Sequence, residues 1–96
     1  MARFKLGKVC VTCGVNDLMT ENAEFNKFVH RCFTRFANCD WGDMAESDRL
    51  QNEEALKHND NRLFAAYKHA EHPGWRLWII TECDRSATTA LFPSEY

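Results

Sequence analysis

The sequence predicts a small α+β domain: an antiparallel sheet of three to four strands with about three helices packed on one face. Three observations predict it. In residues 24–38, Phe25, Phe28, Val29, Cys32, Phe33 and Phe36 fall at i, i+3, i+4, i+7, i+8 and i+11, which is one face of a helix. The last third of the chain holds three runs of strand character, "RLFAAYK", "WRLWIITE" and "TTALFP", joined by the short connections "HAEHPG" and "CDRSA". Such connections favour an antiparallel meander. Finally, 96 residues support a single core, so residues 1–96 read as one domain.

Taken in order, "RFKLGKVCVTCG" reads as a strand whose alternation changes phase at Gly7–Lys8, which a bend or bulge at Gly7 explains. "VNDLMTENA" follows as a short helix, with Asn16 or Asp17 as the N-cap expected from residue type. The Phe-rich helix comes next and stops at Asn38. After the loop "CDWGD", Asp43 or Ser47 caps a helix over "MAESDRLQNEEALKH", supported by Arg49–Glu53 and Glu53–Lys57, each four apart. "HNDN" breaks that helix before the three strands. In the second of them Trp75, Leu77, Ile79 and Thr81 share one face, with Arg76, Trp78, Ile80 and Glu82 on the other. Both faces are largely apolar, so this strand belongs at the centre of the sheet.

Composition narrows the function classes. A net charge of −2 gives no basic excess for general nucleic-acid binding, which draws its affinity from phosphate neutralisation. No run approaches the roughly 18 apolar residues of a membrane span, and no apolar leader follows the basic "MARFKLGK". Five Cys is an odd count without a leader, which points to the cytoplasm and reduced thiols. Seven Phe and three Trp indicate a core built on aromatic anchors.

Four groups of residues carry chemistry. Cys10-Val-Thr-Cys13 is half of a zinc knuckle, but Cys32, Cys39 and His69-x-x-His72 supply no matching half, so no metal or other cofactor is indicated. In a strand the two thiols would face opposite sides, and the alternative is that the cysteines are buried apolar side chains. Lys27, Arg31 and Arg35 form a basic stripe opposite the Phe face, suited to phosphates or an acidic partner, or simply a solvated surface. Asp40, Asp43, Glu46 and Asp48 surround Trp41-Gly42 without the spacing of a calcium loop. There Trp41 is either an exposed binding anchor or the residue that closes one end of the core. Glu82, Asp84, Arg85 and Ser86 sit at the end of the central strand, an inventory that fits acid–base chemistry or anion binding. Equally, Arg85 could neutralise Glu82 or Asp84 while Ser86, Thr88 and Thr89 satisfy the turn.

"RFKLGKVCVTCGV", "GDMAESDRLQNEEAL" and "LWIITECDRSATTALFPSEY" resemble a family of small bacterial proteins found on plasmids, phages and other mobile elements. That family's pattern has a strand ending in V-V-A-T-P-G-A, a G-D-W-G-D loop, and a C-terminal W-I-I-T-E-A-D-R-S-V-T-T-x-L-x-P-x-E-Y. The residues that match are Asp40, Trp41, Gly42, Asp43, Asp48, Trp78, Glu82, Asp84, Arg85, Ser86, Thr88, Thr89, Pro93, Glu95 and Tyr96. Cys10, Cys13, Cys39 and Cys83 replace Val, Pro, Gly and Ala of the pattern, and Phe36 replaces a His. The resemblance implies an origin in a mobile element or gene cassette and brings no established activity.

Together these readings make the chain a non-enzymatic binding or accessory module. Its expected surface joins Asp40, Trp41 and Asp43 to Glu82, Asp84, Arg85 and Ser86, and its partner is a small anionic ligand or a protein. The rival is a small hydrolase or nucleotide-acting enzyme with Glu82 or Asp84 as base and Arg85 stabilising charge. A third reading is a structural homodimer that pairs edge strands or buries exposed aromatics.

Overall fold

A computed structural model describes residues 4–58 and 61–96, so part of the expected helix break at "HNDN" lies outside the described residues. The order is β1 (Lys8–Val11), α1 (Cys13–Glu21), α2 (Ala23–Ala37), α3 (Glu46–His58), β2 (Leu63–Lys68), β3 (Arg76–Thr81) and β4 (Ala87–Leu91). A 3₁₀ turn over Pro93–Glu95 follows. The four strands lie in the order β1-β4-β3-β2. This is an α+β domain with β3 central, as its two apolar faces require.

One expectation is corrected. The sheet is mixed: β2–β3 and β3–β4 are antiparallel, but β1 pairs with β4 in parallel, Lys8 opposite Ala87 and Val11 opposite Ala90. Short turns dictate the direction of the last three strands, whereas β1 reaches the sheet across three helices, and such a long connection leaves strand direction free.

The first strand is also shorter than its pattern. It ends at Val11 because the Thr12 hydroxyl accepts from Val15 N (3.3 Å) and starts α1 at Cys13, four residues or more ahead of the expected caps. Cys13 therefore lies on a helix and is exposed, Cys10 is half-buried, and of the five cysteines Cys32 alone is fully buried. Gly7 makes the expected bend, with φ +66°, and a Cβ there would strike the carbonyls of Arg85 and Ser86. Thr88 ties the same segment down by donating to Leu6 O (2.7 Å). Its one proton is then spent, so Thr81 is the donor in the buried 2.7 Å contact between Thr81 and Thr88.

α1 and α2 lie on the core face of the sheet. Asn22 caps α2 by accepting from Glu24 N and Phe25 N, and Asn38 closes it. Phe25, Phe28, Val29, Cys32 and Phe36 pack over Leu63, Ala65, Tyr67, Leu77, Ile79 and Ala90. Phe33, on the flank of the stripe, is half-buried.

α3 closes the β2 edge. The Asn52 amide donates to Phe64 O (2.7 Å) and accepts from Phe64 N (3.1 Å), taking the place of a neighbouring strand. The Trp41–Asp43 loop takes the next rung: Ala66 N donates to Trp41 O (3.3 Å) and Asp43 N to Ala66 O (2.7 Å). Gly42 fits there with φ +75°, where a Cβ would meet Ala66 O and the Tyr67 ring. Among the described residues the ion pair on α3 is Glu54–His58 (3.3 Å), and the two expected pairs do not form.

Candidate functional site

The turn after β3 is built around Arg85, whose backbone is left-handed (φ 61°) and whose side chain is buried. Nη1 donates to Asn61 O (2.6 Å), Glu82 O (3.2 Å) and Cys83 O (3.2 Å), and Nη2 donates to Ala55 O (3.1 Å). Ala55 lies in the last turn of α3, whose carbonyls lack intrahelical partners and carry the negative end of the helix dipole. Arg85 thus clamps the end of α3 to the hairpin, and among the described residues it pairs with no carboxylate. Asp84 instead accepts from Ser86 N (2.9 Å), and hydrogen bonds from Ser86 hold its carboxyl below the usual range. Glu82 is exposed.

The Asp40–Asp43 loop is equally committed to structure. Trp41 is 3% exposed and meets Phe36 edge-on at 5.4 Å, so it closes the end of the core and is not a surface anchor. Asp40 takes Arg35 with both oxygens (2.8 and 3.2 Å), accepts from Gly42 N (3.2 Å), and offers its own carbonyl to the Tyr67 hydroxyl (2.7 Å). The Arg35 hydrogen bonds draw the Asp40 carboxyl down and raise Arg35 in turn. Burial pushes the Tyr67 phenol up. Asp43 keeps its side chain exposed.

These two segments do not meet. The loop bonds to Ala66, which is opposite Trp78, and Glu82 lies four residues farther along β3, about 13 Å at the rise of a strand.

What does converge is the sheet face opposite α1 and α2. Phe64 and Trp78 meet edge-on at 4.9 Å, Trp78 and Tyr96 at 5.5 Å, and the Arg62 guanidinium lies 5.6 Å from the Tyr96 ring centre. Together with Met44, Asp48, Gln51, Asn52 and Asn61 they line a cleft of about 390 Å³ between this face and the first half of α3. Trp78 is also a wall of a second cleft of about 190 Å³, with Asp43, Lys68 and Arg76. A half-buried Trp between two clefts, with Arg62 in one and Lys68 and Arg76 in the other, presents flat apolar surface beside hydrogen-bonding groups. Sequence alternation put Trp78 on this face, but Phe64, Arg62 and Gln51 come from segments it did not connect to Trp78.

The Lys27, Arg31 and Arg35 stripe is exposed on α2, with Arg35 committed to Asp40. Beneath it, burial pushes the Cys32 thiol up to about 12, so it remains a thiol and not a nucleophile. Among the described residues no group of three or more His, Cys, Asp or Glu side chains is placed to hold a metal ion, and no helix is long and apolar enough to cross a membrane. No family model, curated protein or solved structure matches the chain.

Proposed function

We propose that the protein is a non-enzymatic binding or accessory module, of mobile-element or gene-cassette origin, that binds through the Trp78 face of its sheet. The observation that carries this reading is Trp78 itself, half-buried and shared by two clefts on the face that α1 and α2 leave open. The family pattern gives support of a different kind. Trp41, Gly42, Asp84, Arg85, Ser86 and Thr88 are spent on the fold. So is Glu95, which accepts from Thr12 and from Phe92 N. Asp40 is likewise held by Arg35, and of the seven matches that remain four, Asp43, Asp48, Trp78 and Tyr96, line the two clefts, while Glu82, Thr89 and Pro93 do not. The enzyme reading loses its charge-stabilising group, because the Arg85 guanidinium is engaged by four carbonyls.

The ligand is amphipathic: a flat apolar group lies against Trp78 and Phe64, and its polar or anionic atoms face Arg62, Asn61 and Gln51. Thermal unfolding against nucleotides, aromatic carboxylates and short peptides tests it. A ligand at a hundred times its Kd adds about 2.7 kcal/mol of stability. In a domain of this size each kcal/mol raises Tm by roughly 4–8 °C. Trp78→Ala and Arg62→Ala should each abolish most of that shift. A ligand whose shift survives both substitutions binds elsewhere and refutes this surface.

A further inference from the structure

We propose that the cleft between α2 and the β2–β3 hairpin is a binding site for a small oxyanion, with the Nε2–H of His69 as its donor. The site shares Lys68 with the smaller cleft beside Trp78, but Trp78 does not line it and the proposal does not rest on the Trp78 face.

His69 is 7% exposed and its orientation is fixed. Its Nδ1 accepts from Glu71 N (3.0 Å) and His72 N (3.2 Å), so the ring proton resides on Nε2. Phe28 and Trp75 meet the ring edge-on at 5.3 and 5.1 Å. Behind it His72 stacks on Trp75 at 4.1 Å and is held by Glu24 (3.2 Å), which closes the hairpin against α2. The Nε2–H has no hydrogen-bond partner among the described residues, yet no buried side-chain nitrogen or oxygen there is left unsatisfied. Nε2 therefore reaches solvent, and the opening beside His69 is a cleft of about 290 Å³.

The walls of that cleft select the charge of its occupant. Arg31 and Lys68 line it and make no ion pair among the described residues, while Arg35, also in the lining, is committed to Asp40. The two acids of the rim are Glu24, already held by His72, and Glu71. An N–H that can only donate, on a buried ring in a cleft lined by two cations without an ion pair among the described residues, calls for an acceptor carrying negative charge. A metal cation is disfavoured, because Nδ1 is occupied by two N–H donors and Nε2 carries the proton. The shared chemistry is that of a phosphate or carboxylate group, and the volume admits such a group with a small organic body.

The probe is inorganic phosphate, titrated at constant ionic strength with sodium chloride while the His69 ring nitrogens are followed by NMR. A saturable shift of Nε2 is expected. Arg31→Gln and Lys68→Gln, both at exposed positions, should together weaken phosphate binding tenfold or more without lowering Tm. Trp78→Ala should leave it unchanged, which separates failure of this site from failure of the Trp78 face. Acetate as a parallel probe identifies the source: tighter phosphate binding assigns a phosphate ester, and tighter acetate binding a carboxylate. A shift that rises linearly with phosphate, or one undiminished in the double variant, overturns the proposal.

Discussion

Arg85 combines two features that are each unfavourable alone: a non-glycine residue at φ 61° and a buried guanidinium without a carboxylate. The first costs on the order of 1–2 kcal/mol, and the second is tolerable only if the fork is filled with acceptors. Four carbonyls from three segments fill it, so the strain in the turn is offset by the clamp that the turn creates. Arg85→Met should lower the unfolding free energy by about 3 kcal/mol or more in urea titrations, because it strands those carbonyls. Arg85→Lys should recover less than half, since an ammonium cannot span acceptors fixed for a planar fork. A lysine variant as stable as the parent would show that charge alone suffices. Local sequence told part of this: an arginine among Glu82, Asp84 and Ser86 invites an ion pair or an anion site. It could not show the left-handed backbone, nor that Ala55 O and Asn61 O, 30 and 24 residues away, converge on the guanidinium.

The two outer edges of the sheet are treated differently. Along β2 the backbone groups of Phe64 and Ala66 are bonded to Asn52 and to the Trp41–Asp43 loop. Along β1, Lys8 N and Thr12 N turn inward to Ser86 O and Ala90 O, so the groups of Val9 and Val11 point outward, and Val9 is 52% exposed. A homodimer that pairs edges would use β1. Asn52→Ala should cost roughly 1–3 kcal/mol by stranding the Phe64 amide and carbonyl, and it should add a second open edge. Sedimentation should accordingly show self-association stronger than that of the parent. Equal stability and equal sedimentation would mean that water replaces the amide without loss. The elements themselves were legible where periodicity was strong: α2, the three C-terminal strands and the central place of β3. The β1 direction and the α1 start were not. An apolar run through Val11 looks the same whether the chain continues or turns, and a threonine cap competes with the equally plausible Asn16 and Asp17.

On the scale of the whole molecule, acid stability follows from the Asp40–Arg35 pair. The folded carboxyl lies below its ordinary value of 3.8, so the pair contributes fully above that value and is lost as pH falls through the folded one. Both side chains are nearly half exposed, which limits the contribution to about 0.5 kcal/mol. Unfolding free energy measured between pH 6 and about 3 should decline below about 4, and Asp40→Asn should flatten that decline. An unchanged profile in the variant would assign the acid sensitivity to other carboxyls. The candidate site illustrates the same limit of local reading at this scale: Asp40–Asp43 and Glu82–Ser86 look like neighbours in chemistry, but the β2–β3 register keeps them apart. The register also brings Phe64 beside Trp78, and the 3₁₀ turn after β4 returns to place Tyr96 there. The parallel β1–β4 pair has a consequence for synthesis. Between Val11 and Ala87 lie 75 residues, so at about 5–20 residues per second β1 is synthesised roughly 4–15 s before the strand it pairs with. For that interval α1 and α2 can form while the four-stranded sheet cannot, and the nascent protein carries its first strand without its partner until β4 has been made.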